Sequence, residues 1–97
     1  MATNSHLPLH LQLPRYSINQ VALHNTKNNA WIVIHSTVID ATKFAKNHRG
    51  GRRILIKNAG IDITQLFNEK YKNKKKRDKA YQRIQPYIIG HMMHNTF

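Results

Sequence analysis

Residues 24–67 read HNTKNNAWIVIHSTVIDATKFAKNHRGGRRILIKNAGIDITQLF, and the order of signals along this stretch decides the fold. Asn25–Asn29 is turn chemistry. Ala30-Trp31-Ile32-Val33-Ile34 is β-branched and aromatic and predicts a buried strand, with Val38-Ile39 as its short return partner. Asp40 or Thr42 can cap a single helical turn that carries Phe44, and His48-Arg49-Gly50-Gly51 breaks that turn. Arg52–Asn58 places Ile54, Leu55 and Asn58 on one helical face, and Gly60 is suited to end it. Asp62 then opens another helix through Ile63, Leu66 and Phe67. Strands interleaved with short helices predict an α+β domain.

Outward from this stretch the signals continue. Ser17 and Gln20 have the spacing of a capping box and predict a short helix reaching about His24. Ahead of it, Leu7, Leu9, Leu11 and Leu13 alternate with Pro8, His10, Gln12 and Pro14. Period two with two prolines predicts an extended arm over residues 1–14 that can lie in a groove but cannot form a central strand. On the other side, Lys70–Arg83 is a basic helix or loop and Tyr87-Ile88-Ile89 a last strand. These signals divide the chain into an arm (1–14), one domain (15–90) and a C-terminal tail (91–97). The 97 residues leave no room for a second core.

Composition narrows the chemistry. Cysteine is absent, which excludes disulfides, zinc ribbons, iron–sulfur clusters and cysteine nucleophiles. The longest apolar runs, Ala30–Ile34 and Tyr87–Ile89, fall far short of the roughly 18 residues of a membrane span, and no N-terminal run has the form of a secretion signal. A soluble, intracellular, cytoplasmic protein is expected. Sixteen Lys+Arg stand against four acids, Asp40, Asp62, Glu69 and Asp78, for a formal charge of +12. Six of the bases fall in 43–57 and eight in 70–83, so the positive field belongs to the C-terminal half. Such a field attracts nucleic acid, an anionic membrane or acidic proteins, whichever is nearby. Tyr71 and Tyr81 could stack on bases, which makes RNA a second possible partner, although no nucleic-acid motif accompanies them. His91 and His94 have i,i+3 spacing but no third ligand, and fit a tail better than a metal site. No Ser/His/Asp order, phosphate loop or pair of carboxylates suits catalysis, so an electron carrier or binding module is expected rather than an enzyme.

Taken together, His24-Asn25, Trp31, Val38, Asp40, Thr42, Phe44, His48, Gly50, Gly51, Ala59, Gly60, Asp62, Thr64 and Phe67, followed by the Ile88-Ile89-Gly90 strand, resemble the cytochrome b5 family over roughly residues 16–90. The resemblance implies a small mixed sheet beneath two helical hairpins that grip one haem b. It implies His48 as an axial iron ligand, Gly50 and Gly51 as the turn that lets backbone approach the porphyrin, and Phe44, Ile54, Leu55 and Phe67 as pocket lining, with Ile34 and Ile63 adding to the wall.

Three departures bear on mechanism. The family's second axial histidine lies twenty-four residues after the first, and Lys72 holds that place here. A lysine amine binds iron only without its proton, at a cost of roughly 4–5 kcal/mol for an ordinary lysine at pH 7, so Lys72 is a candidate ligand only if its surroundings offset that cost. Arg49 replaces the family's proline, and either loosens the turn that aims His48 or introduces a charge near a haem propionate. The segment between Phe67 and the last strand is about four residues longer than in typical members. The family's acidic rim is also inverted, to Arg52, Arg53 and Lys57, with Glu69 the acid retained. A redox or assembly partner with an acidic surface is therefore expected. The resemblance implies a haem-binding electron-transfer role; the alternative is a haem-free module of the same fold, acting as a basic structural or interaction component of a larger assembly.

Overall fold

The computed structural model describes residues 13–48 and 50–93; Leu7, Leu9 and Leu11 of the expected arm, Arg49 and His94 lie outside them. A five-stranded sheet has the order β1-β5-β4-β3-β2, with β1 Arg15–Tyr16, β2 Asn25–Thr26, β3 Asn29–Ile34, β4 Thr37–Asp40 and β5 Ile88–Met92. β1 pairs parallel with β5, and β5–β4, β4–β3 and β3–β2 are antiparallel. The α+β architecture is as the sequence predicts. β3 and β4 are joined by a two-residue hairpin at His35-Ser36, both with positive φ (48° and 64°), the handedness that two-residue hairpins require and that non-glycine residues adopt rarely. The turn is tied down: His35 N–H donates to Thr64 Oγ1 (2.9 Å) and its ring Nε2 bonds Asn68 Oδ1 (2.9 Å).

β3 alternates between two cores. Ala30, Ile32 and Ile34 face the helical hairpins and join Ile39, Phe44, Leu55, Ile63, Phe67, Ala80 and Ile84. Val33 faces the other way, with Val38 and Val21, under Tyr16, Trp31 and Ile89. A strand covered on both sides reads as a continuous apolar run, as Ala30–Ile34 does. The capping box is present: Ser17 Oγ accepts from Gln20 N–H (3.1 Å), and Gln20 Oε1 accepts from Ser17 N–H (2.8 Å). It opens α1, Ile18–Ala22, which stops short of His24 because that ring stacks on Trp31 (centroids 3.4 Å apart) and bonds Asn29.

Two helical hairpins stand on the larger core. α2 (Ala41–Lys46) is capped by Asp40, whose Oδ1 accepts from Lys43 N–H (3.1 Å), and α3 (Arg52–Lys57) follows the glycine pair. Thr42 has another use, accepting from Ala30 N–H (2.8 Å) and so locking α2 to β3. Asp62 opens α4 (Thr64–Lys70) by accepting from Thr64 N–H (2.9 Å). The basic run then divides. Asn73 Oδ1 accepts from Lys75 and Lys76 N–H and starts a separate helix, α5 (Lys74–Ile84), leaving Tyr71–Asn73 as the link.

A 3-10 turn at Gln85–Tyr87, with Pro86 in its first turn, delays the last strand to Ile88. That strand continues to Met92, so His91 and Met92, expected in the tail, are sheet residues: His91 pairs with Arg15 on one side and Thr37 on the other. Gly90 makes this possible, since a Cβ there would lie 2.5 Å from the Tyr16 ring. Among the described residues no helix is long and apolar enough to cross a membrane.

Candidate functional site

Between the hairpins lies an apolar cleft. Its floor is Ile34 and Ile63. Phe44, His48, Gly51, Ile54 and Leu55 come from the first hairpin, and Leu66, Phe67, Lys70, Tyr71, Ala80, Arg83 and Ile84 from the second. Sequence signals singled out Phe44, His48, Gly51, Ile54, Leu55 and Phe67, and all six meet here. Phe44, Leu55 and Phe67 are buried, whereas Ile54 (51% exposed) and Leu66 (47%) stand at the mouth.

His48 is the polar feature of the first wall. It follows α2, its N–H still reaching Ala45 O (3.4 Å), and its carbonyl accepts from Gly51 N–H (3.3 Å), which closes the turn. The ring meets Phe44 edge-on at 5.0 Å. Its Nδ1 is buried with no hydrogen-bond partner and packs against Gly51 so closely that a Cβ there would stand 2.0 Å away. Gly51 is thus the seat of the imidazole. Gly50 lies outside the cleft, exposed at φ +80° with open space around it; it supplies the left-handed step of the turn.

Lys72 does not line the cleft. Its side chain is exposed and borders a shallow polar depression with Asp62, Thr64, Gln65, Asn68 and Glu69. The residues that spacing did not single out are Leu66, Lys70, Tyr71, Ala80, Arg83 and Ile84. Helical periodicity was the available signal, because Phe67 and Tyr71 are i,i+4 partners, as are Ala80 and Ile84. Arg52, Arg53 and Lys57 share a second shallow depression with Lys27, while Lys70 and Arg83 are the cations that reach the cleft.

The chemistry of the donor set suits a haem better than a bare ion. Among the described residues no three His, Cys, Asp or Glu side chains come together around a possible ion site. A porphyrin brings four nitrogens of its own and asks the protein for an axial donor and an apolar slot. His48 offers an imidazole on the wall of an apolar cleft. The cleft encloses about 80 Å³, below the about 300–1,000 Å³ of small-molecule sites, so a haem would need the two hairpins farther apart than they stand.

Comparison with known proteins agrees with this geometry. Residues 17–93 match the family model described as cytochrome b5-like haem/steroid binding domain. Nitrate reductase [NADH] 1 of Arabidopsis thaliana is 38% identical over 78 residues, and nitrate reductase [NADH] of Petunia hybrida 42% over 78 residues. In both cases the match covers 80% of this chain and 8% of the enzyme, so the chain spans a small fraction of these relatives. Among solved structures, the cytochrome b558 of Ectothiorhodospira vacuolata, described as a prokaryotic homologue of cytochrome b5, superposes with a TM-score of 0.68 and 29% identity over 81% of this chain and 98% of that one. The cytochrome b5 of Ostreococcus tauri virus 2 gives 0.65 and 32% over 84% and 100%. The chain belongs to the family of cytochrome b5-like haem/steroid-binding domains.

Proposed function

We propose that this domain carries single electrons on a non-covalently held haem b, with His48 as an axial ligand. The observation that supports this best is His48 itself: an imidazole anchored over Gly51, one nitrogen buried without a partner, on the wall of an otherwise apolar cleft. With Nδ1 held against the backbone, Nε2 is the nitrogen left to act as a ligand. No cysteine is present among the 97 residues to form thioether links, which fits a non-covalently held haem such as haem b. When bound, the iron supplies reversible one-electron exchange.

The protein's own residues do the rest. Phe44 and Gly51 fix the plane of the His48 ring. Ile34, Leu55, Ile63, Phe67 and Ile84 exclude water from the cleft, which strengthens electrostatic interactions inside it. Lys70 and Arg83 offer cations to the two carboxylates of a haem. Arg52, Arg53 and Lys57 favour an acidic docking partner, whose association slows as salt screens the charges.

A haem-free module is the second reading. It is favoured by the near-complete burial of Phe44, Leu55 and Phe67 against one another in the core. Titration with hemin followed by redox titration separates the two. One haem per chain with reversible one-electron reduction is the result expected of the electron carrier. A chain that folds but produces no change in the hemin spectrum belongs to the second reading.

A further inference from the structure

We propose that Tyr71, and not Lys72, is the second protein ligand of the haem iron, through its phenol oxygen. The proposal rests on the haem reading above and concerns what stands on the α4 wall. Counting along the chain selects Lys72, but a helical face, not a count, decides which side chain reaches the cleft.

α4 remains hydrogen-bonded through Tyr71, whose N–H donates to Phe67 O (3.0 Å). Tyr71 therefore lies one turn beyond Phe67, on the same face, and the two rings are 5.1 Å apart. Phe67 lines the cleft, and so does Tyr71. Lys72 follows the end of the helix, where Tyr71 leaves helical geometry (φ −115°, ψ 69°), and borders the outer depression with Asn68.

Four side chains around the cleft carry a heteroatom: His48, Lys70, Tyr71 and Arg83. A guanidinium stays protonated and has no lone pair to give. Lys70 is exposed, and its ammonium sits over the face of the Tyr71 ring, 5.6 Å from the centroid, a cation–π contact that engages the amine and steadies the ring. Arg77 holds the link in place, its Nη1 donating to Tyr71 O (3.1 Å) and Lys72 O (3.4 Å). The loop is thereby tied to α5 with the Tyr71 ring on the cleft side.

Tyrosinate is an established type of haem ligand, and an axial donor is one of the features by which a protein sets haem electronics. On binding, the phenol O–H bond breaks, its proton passes to solvent, and an oxygen lone pair is donated to ferric iron. No electron is transferred. An anionic oxygen stabilises ferric over ferrous iron, so this centre is harder to reduce than one with two imidazoles.

The test compares the hemin-loaded wild type with Tyr71→Phe, Tyr71→His, Lys72→Ala and Lys72→His, by visible absorption, resonance Raman and redox potential. Expected for the wild type is a phenolate-to-iron charge-transfer band with phenolate ring modes in the Raman spectrum. Tyr71→Phe loses both, raises the potential, and weakens ferric haem binding by at least the about 10–100-fold seen when a ligand's supporting partner is removed. Tyr71→His gives a low-spin bis-imidazole spectrum that Lys72→His does not, and Lys72→Ala resembles wild type. Circular dichroism identifies any variant that fails to fold, and the Tyr71→His and Lys72→His pair then decides the question without Tyr71→Phe. If wild type binds hemin but Tyr71→Phe leaves its spectrum and potential unchanged, or Lys72→His alone gives the bis-imidazole form, the Tyr71 assignment is overturned while the haem reading stands. If folded wild type binds no hemin, both fall together.

Discussion

Gly51→Ala separates the seat of His48 from the rest of the fold. Gly51 has φ −105° and ψ −8°, which alanine adopts without strain, so the substitution acts through space alone. The new Cβ would stand 2.0 Å from His48 Nδ1, 2.2 Å from Cε1 and 3.1 Å from Cγ. Contacts between such atoms normally begin near 3.4 Å. The ring must therefore move by about 1.4 Å or rotate off its seat. Overpacking of this kind costs about 1–3 kcal/mol, and each kcal/mol lowers the melting temperature of a domain this size by about 4–8 °C. Hemin affinity should fall about 10–100-fold, the loss typical when the support of a metal ligand is removed, in a protein that still folds. Gly50→Ala is the control. It meets no atom within 4 Å but takes φ +80°, so it costs about 1–2 kcal/mol of backbone strain and leaves hemin affinity near wild type. Soret titration and thermal melts of the two variants give the comparison. Unchanged affinity in Gly51→Ala, or an equal loss in Gly50→Ala, would refute the idea that Gly51 seats the ligand.

Other outcomes follow from the same structure. Asp40→Ala removes the cap on α2 and should cost about 0.5–2 kcal/mol in denaturant melts; no loss would mean that Asp40 does not hold the hairpin that ends in His48. Ile54→Ser, at the cleft mouth and half exposed, should change stability by under about 1 kcal/mol, since little burial is lost, yet weaken hemin binding; a fall in stability with unchanged binding would make Ile54 a core residue. Changing Arg52, Arg53 and Lys57 together to glutamine should slow electron transfer to an acidic redox partner and flatten its salt dependence. Kinetics unmoved by the triple change would show that this face does not dock, and tight binding of RNA instead would reassign the charge.

Much of this was written in the chain itself, for reasons that are local. Ser17 and Gln20 can satisfy each other's backbone within four residues, and Ala30–Ile34 is apolar at every position because both faces of β3 are covered. The double glycine beside His48 marks a turn that only small residues fit, Gly50 for its left-handed φ and Gly51 for the ring that packs against it. What stayed hidden depends on angle and on distant partners. A linear count reaches Lys72, whereas the face that α4 shows the cleft is set by how Phe67 packs on the sheet and carries Tyr71 with it. The basic run gave no internal boundary by charge; Asn73, a capping residue among lysines, was the signal that divides it. His91 looked like tail because the apolar run ends at Ile89 and the histidine has no third ligand, yet the strand runs on through Gly90, where Tyr16, seventy-four positions earlier, packs against it.

The most direct measurement is a hemin titration of wild type and His48→Ala, followed at the Soret band, with free imidazole then added to the variant. Wild type should take up one haem per chain with a shifted Soret band. The variant should lose that signal and recover part of it when imidazole fills the space of the missing ring. A folded His48→Ala protein that binds hemin as tightly as wild type, with the same spectrum and no response to imidazole, would contradict the assignment of His48 as the iron ligand.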